Sequence, residues 1–121
     1  MTQALCFHCG NTKFGALLPC MKCGGGPSDN IELDIAFTDH NMSDSSIEAF
    51  GRIIQSINAV TDDPATRFWA FIHYVSEEHP SILRVDLDEE QTRQLRMLLE
   101  TIEIPRVVVE PSPMARLRGD A

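Results

Sequence analysis

Two segments near the start of the 121-residue chain, Cys6-Phe7-His8-Cys9-Gly10 and Cys20-Met21-Lys22-Cys23-Gly24, repeat one device, and they hold all four of its cysteines. In such a Cys-x-x-Cys turn both thiolates point to one side. The glycine that follows permits the positive φ that brings backbone amides round toward the sulfurs. Two such turns ten residues apart predict a tetrahedral site made by Cys6, Cys9, Cys20 and Cys23, with one zinc ion as the expected occupant. Four thiolates close the coordination shell and leave no position for water or substrate, so the expected ion is structural. Iron also accepts four tetrahedral sulfurs, but rubredoxins separate their knuckles by a much longer insert. His8 lies between two ligands and is expected as an exposed ring, because four cysteines already complete the set.

The two glycine-ended knuckles, with Lys13-Phe14-Gly15-Ala16-Leu17-Leu18 leading into Pro19-Cys20, resemble a short zinc ribbon, whose knuckles ride on small hairpins. The resemblance covers residues 1–26 and implies a fold and a cofactor but no activity, because ribbons serve many functions. The rest of the chain resembles small acidic bacterial proteins that open with such a ribbon and continue with a helical body.

Disulfides are a poorer reading of these cysteines, because no basic region followed by an apolar run opens the chain as a secretory signal would. A cytoplasmic location is expected. The longest apolar stretch, residues 68–75, is too short to cross a bilayer and includes His73.

Residues 24–30, Gly-Gly-Gly-Pro-Ser-Asp-Asn, mark a linker. The expected organisation is a ribbon over 1–26, an acidic α+β body over 27–110 and a loose tail over 111–121. Within the body, Ile31, Leu33, Ile35 and Phe37 alternate with mostly polar residues, which predicts a strand over 31–37. Ser45 and Glu48 have capping-box spacing for a helix to about Asn58, and Ile47, Phe50, Ile53, Ile54, Ile57 and Val60 form its apolar stripe. Gly51 inside that helix weakens it by about 1 kcal/mol relative to Ala, which points to close packing against a neighbour. An aspartate followed by Pro64 opens a second helix to about Glu78, ended by Pro80. Phe68, Trp69, Phe71, Ile72 and Val75 exceed one narrow stripe and are expected mainly in the core. Residues 82–85 and 107–109 are further strand candidates. Asp88 and Gln91 cap a third helix to about Thr101, with Leu95, Leu98, Leu99 and Ile102 inward. The fold class is therefore α+β, a ribbon joined to about three helices with a few short strands.

No catalytic constellation stands out. The cysteines are committed to metal, no nucleophile elbow or phosphate loop occurs, and Asp39-His40 and His73/Glu77 have ordinary explanations as loop and helix-surface pairs. No enzyme is expected.

Charge is the remaining signal. The chain has 10 Lys and Arg against 18 Asp and Glu, a formal −8, the wrong sign for gripping a phosphate backbone, so no direct nucleic-acid partner and no membrane partner are expected. Only Lys13 and Lys22, beside Phe14, offer the ribbon a basic patch. Residues 27–110 hold 6 basic and 17 acidic groups. Asp34, Asp39, Asp62, Asp63, Asp86, Asp88, Glu89 and Glu90 are the candidate contacts for a basic protein partner, because charge complementarity steers association. The expected function is a non-catalytic interaction protein, in particular a bacterial immunity protein that neutralises a basic toxin by direct binding. A ribbon docking onto transcription or translation machinery is the alternative, and a homodimer through the 68–75 helix a third possibility.

Overall fold

The computed structural model describes residues 3–28, 30–104 and 109. Strands β1 (Gln3–Leu5) and β2 (Thr12–Phe14) form an antiparallel pair, with Ala4 opposite Lys13, and carry the first knuckle between them. Four helices follow among the described residues: α1 (Ile31–Ala36), α2 (Asp44–Asn58), α3 (Pro64–Glu78) and α4 (Glu89–Glu100). The class is α+β.

The helical periodicity of α2, α3 and α4 survives folding. In α2, Ile47, Phe50, Ile53, Ile54 and Ile57 are all buried, whereas Val60 lies past the helix end and is exposed. The α2 cap is Ser43 rather than Ser45: Ser43 is extended and its side chain accepts from the Ser46 N–H, which places Ser45 inside the first turn. Asp63 caps α3 with Pro64 in the first turn, and Asp88 caps α4 through the Gln91 N–H at 2.7 Å. Phe71, Ile72 and Val75 face inward, and Trp69 is exposed. Along α4 only Leu95 is fully buried; Leu98, Leu99 and Ile102 pack against the core from its edge.

The segment predicted as a strand over 31–37 is instead helix α1. Asn30 caps it by accepting the Glu32 N–H at 3.0 Å. Its inward positions are Leu33, Asp34 and Phe37, a helical spacing, while Ile31 and Ile35, inward in the strand reading, are exposed. Sheet extension comes from the next residues. Leu5 donates to the Phe37 carbonyl and Asp39 donates to the Gln3 carbonyl, both at 3.0 Å, and Ala4 bridges Thr38. Strand β1 therefore has partners on both edges.

Residues 82–85 also depart from expectation and run irregularly. The Ile82 N–H turns back to the His79 carbonyl, and the Val85 N–H bonds the Ser76 hydroxyl on α3, so a side chain meets the need that a ladder would have met. Of the predicted 107–109 strand, 107 and 108 lie outside the described residues, as does the 111–121 tail; Val109 packs on the core edge.

Among the described residues, a hydrophobic cluster joins Leu5 and Phe7 of the N-terminal hairpin to Phe37, Phe50, Phe71, Ile72 and Val75, so the burial that stabilises the helices also stabilises the first knuckle.

Candidate metal centre

The first knuckle is built by the β1–β2 hairpin. The Cys6 N–H donates to the Asn11 carbonyl and the Gly10 N–H returns to the Cys6 carbonyl, with Gly10 at φ +78°. The second repeats this closure: the Gly24 N–H donates to the Cys20 carbonyl, with Gly24 at φ +76°. Both glycines adopt the left-handed conformation that a Cβ disfavours.

The four Sγ atoms lie within 4.8 Å of one another, with Cys6 3.6 Å from Cys23 and Cys9 3.7 Å from Cys20. Disulfide sulfurs would be about 2.0 Å apart. A tetrahedron with metal–sulfur bonds of about 2.3 Å separates its sulfurs by about 3.8 Å, so the residues fit a single tetrahedral ion. Cys6, Cys9, Cys20 and Cys23 form one metal-binding cluster, consistent with zinc, in which an ion would cross-link the two knuckles. Further donors surround the sulfurs: the Asn11 side-chain amide reaches Cys9 and the Gly25 N–H reaches Cys23, each at 3.3 Å.

Without a cation the cluster resists full ionisation. Burial pushes the Cys6 thiol up to about 12, against the N–H groups of Cys9 and His8, which favour its thiolate. At Cys20 burial acts in the same sense, but the N–H groups of Cys23 and Lys22 outweigh it and bring that thiol to about 7. Cys23 is raised, chiefly by lost hydration. A bound cation supplies the charge that permits four thiolates together.

His8 stays outside the ligand set, as expected. Its exposed ring lies over Gly25, where a Cβ would collide with it, and Nε2 is 3.1 Å from the Gly26 carbonyl. Phe7, beside it, points the other way into the body, 5.5 Å edge-to-face from Phe37 and 5.9 Å from both Phe68 and Phe71. Sequence reasoning passed over Phe7. Its signal was the contrast between the Phe-His pair inside the first knuckle and the Met-Lys pair inside the second.

Two further ties hold this knuckle. Gly10 and Gly51 meet backbone to backbone, so that a Cβ on either would overlap the other's carbonyl oxygen, and Asn58 donates to the His8 carbonyl at 2.8 Å. The predicted close approach at Gly51 is to the metal knuckle.

The acidic candidates divide. Asp34 is withdrawn from the partner-facing set: it is buried, and its carboxylate accepts from the Ser28 N–H at 3.0 Å and the Ser28 hydroxyl at 2.8 Å, fixing the linker to α1. Asp39 is half-buried beside β1. Asp62, Asp63, Asp86, Asp88, Glu89 and Glu90 are exposed. Lys13 is buried, with Nζ on the Leu18 carbonyl at 3.0 Å, so the basic patch expected on the ribbon is reduced to Lys22. The His73/Glu77 pair is not a surface pair, because the imidazole is buried; Glu77 lies 3.7 Å from it and bonds Arg96 of α4 at 3.0 Å.

Searches against family models, curated proteins and solved structures find no match to this chain. The cluster geometry therefore defines the class by itself, a metal-binding cysteine-knuckle protein with a helical body. No helix among the described residues is long and apolar enough to cross a membrane.

Proposed function

We propose that this chain is a non-catalytic cytoplasmic protein, held by one structural zinc ion, that acts by binding a basic protein partner, in particular as an immunity protein that covers a bacterial toxin. The observation that carries this reading is the convergence of two acidic groups far apart in sequence. Asp62 and Asp63 lie just before α3; Asp86, Asp88, Glu89 and Glu90 lie just before and within the first turn of α4. Ala65 and Thr66 of α3 share one surface depression with Leu87 and Gln91, which brings the two helix starts to one side of the molecule. Asp63 and Asp88 also cap their helices, and acids favour helix starts in general. Asp62, Asp86, Glu89 and Glu90 are not caps and add to the same surface, an arrangement suited to a cationic partner.

Co-expression with a toxin, should one be encoded beside this chain, tests the reading. Growth should be rescued, and sedimentation should show a tight one-to-one complex. Equal toxicity with and without the chain would sink it.

A second reading, ribbon docking onto transcription or translation machinery, draws support from Phe14, Leu17, Leu18 and Met21. These four apolar side chains are at least half exposed within eight residues of the ribbon, Met21 at 88%. Leu17→Ser with Met21→Ser would abolish a ribbon-borne complex and leave a body-borne one unchanged.

A further inference from the structure

A groove of about 590 Å³ lies beside the first metal knuckle. Phe7 and His8 of the first knuckle line it together with Leu33, Val85, and Phe68 and Trp69 of α3, and Phe7 and Phe68 meet edge-to-face at 5.9 Å. Beyond Trp69 the surface continues into the shallower depression lined by Leu87 and Leu95. Trp69 therefore lines both hollows, the first mainly apolar and the second mixed, and 43% of it is open to solvent. The rim is acidic at both ends. Asp62 and Asp63 precede the lining residues Pro64 and Ala65, and Asp86 sits between the lining residues Val85 and Leu87. Arg67 lines the groove, with its guanidinium engaged by the Asn58 and Thr61 carbonyls and by Asp62, and exposed Arg84 adjoins Val85 on the same rim, where Asp86 stands on the other side of that residue.

We propose that this groove receives an extended basic segment of a partner protein, with an apolar side chain against Trp69 and lysine or arginine side chains over the acidic rim. The inference rests on the protein-partner reading above and specifies its site. Tryptophan is enriched among the residues that anchor protein interfaces, and the surrounding charge selects the sign of the occupant. Because Phe7 and His8 lie between ligands Cys6 and Cys9, the metal centre positions part of the lining, so binding also depends on the metal.

Trp69 is the only tryptophan in the chain, and its emission reports directly on the groove. The full metal-loaded chain is titrated with a labelled decapeptide of alternating lysine and leucine, and with counterparts in which glutamate replaces lysine or serine replaces leucine. Expected are a saturable shift of Trp69 emission with the lysine–leucine peptide, at least about tenfold weaker binding of either counterpart, and loss on chelation. Trp69→Ala, followed by peptide anisotropy, should weaken binding by about 30-fold, the scale of a buried aromatic anchor. Asp62→Asn with Asp86→Asn should weaken it with Trp69 in place, and Met97→Ala on the exposed side of α4 should change nothing.

Equal binding of the lysine and glutamate peptides, or binding unaffected by Trp69→Ala, overturns the assignment. So does self-association in sedimentation that Trp69→Ala abolishes, because the occupant would then be a second copy. A toxin complex that survives Trp69→Ala removes the groove and leaves the protein-partner reading standing. Absence of any toxin complex removes that reading, while the peptide titration still decides the groove.

Discussion

The two knuckles share a motif, a ligand spacing and a closing glycine whose φ differs by only 2° between them, yet they occupy opposite environments. The first is wedged into the molecule. Phe7 is among the core aromatics, Gly10 touches the backbone of α2, and Asn58 holds the His8 carbonyl. The second turns to solvent beyond its buried first ligand, Cys20: Met21, Lys22, Cys23 and Gly24 are exposed, and a Cβ added at Gly24 would meet nothing. The first knuckle is held by burial as well as by sulfur. The second has its turn, its link through Gly25 and whatever ion the sulfurs grip. The comparison teaches that a repeated motif fixes local geometry but leaves each copy's mechanical role to its neighbours.

Metal removal should have the largest effect and tests whether this asymmetry reaches the body. Structural zinc in small fingers is worth about 10–16 kcal/mol, comparable with the whole stability of a domain, about 5–15 kcal/mol. An isolated ribbon would unfold alone and leave helicity intact. With Leu5 and Phe7 inside the shared cluster, chelation or Cys20→Ser is expected to lower both the Trp69 signal and the helical circular dichroism. Full retention of helicity on chelation would instead show that the ribbon melts independently.

Next in size is the contrast between equivalent positions. Phe7→Ala should cost about 3–5 kcal/mol, because it removes a ring packed on three others, and Met21→Ala should stay within about 0.5 kcal/mol. Denaturant midpoints of the metal-loaded proteins measure both, and equal losses would break the comparison.

The glycines sharpen it further. Either substitution by alanine places a Cβ in the left-handed region, at about 1–2 kcal/mol. Gly10→Ala must also displace the Gly51 carbonyl, adding an overpacking penalty of about 1–3 kcal/mol. Gly51→Ala has no such φ strain and gains helix propensity of about 1 kcal/mol, so a net destabilisation there would isolate the close approach itself.

The smallest effect is one of pH, in the burial-held part. Desolvation lowers the His73 pKa below its usual 6.5; Glu77 opposes this and Arg96 assists it. As pH falls through 6.5 the unfolded chain takes up a proton before the folded one, so stability declines with acidification and is unaffected above that range. His73→Gln should flatten the slope of the denaturation midpoint between about pH 5.5 and 7, with metal content monitored throughout. An unchanged slope would mean that the knuckle thiolates, not His73, carry the acid sensitivity.

Three helices were readable in advance because their signals are local: Asp63-Pro64 and Asp88 with Gln91 at the starts, and three- and four-residue apolar steps along α2. Residues 31–37 were misread for a physical reason. Over so short a segment alternation and helical spacing overlap, and the inward residue that breaks the alternation is Asp34, whose burial is stable only because Ser28 supplies two donors from the linker. Lys13 follows the same logic, looking like surface charge until the Leu18 carbonyl accepts its ammonium.

Sequence alone determined the four-cysteine cluster, the left-handed glycines that close each turn and the caps of α3 and α4, because each depends on residues a few positions apart. Tertiary structure decided which knuckle packs into the core, which acids remain exposed and that Trp69 lines a groove. Those outcomes rest on contacts such as Gly10 with Gly51 and Phe7 with Phe71, tens of residues apart, where packing rather than spacing selects the neighbour.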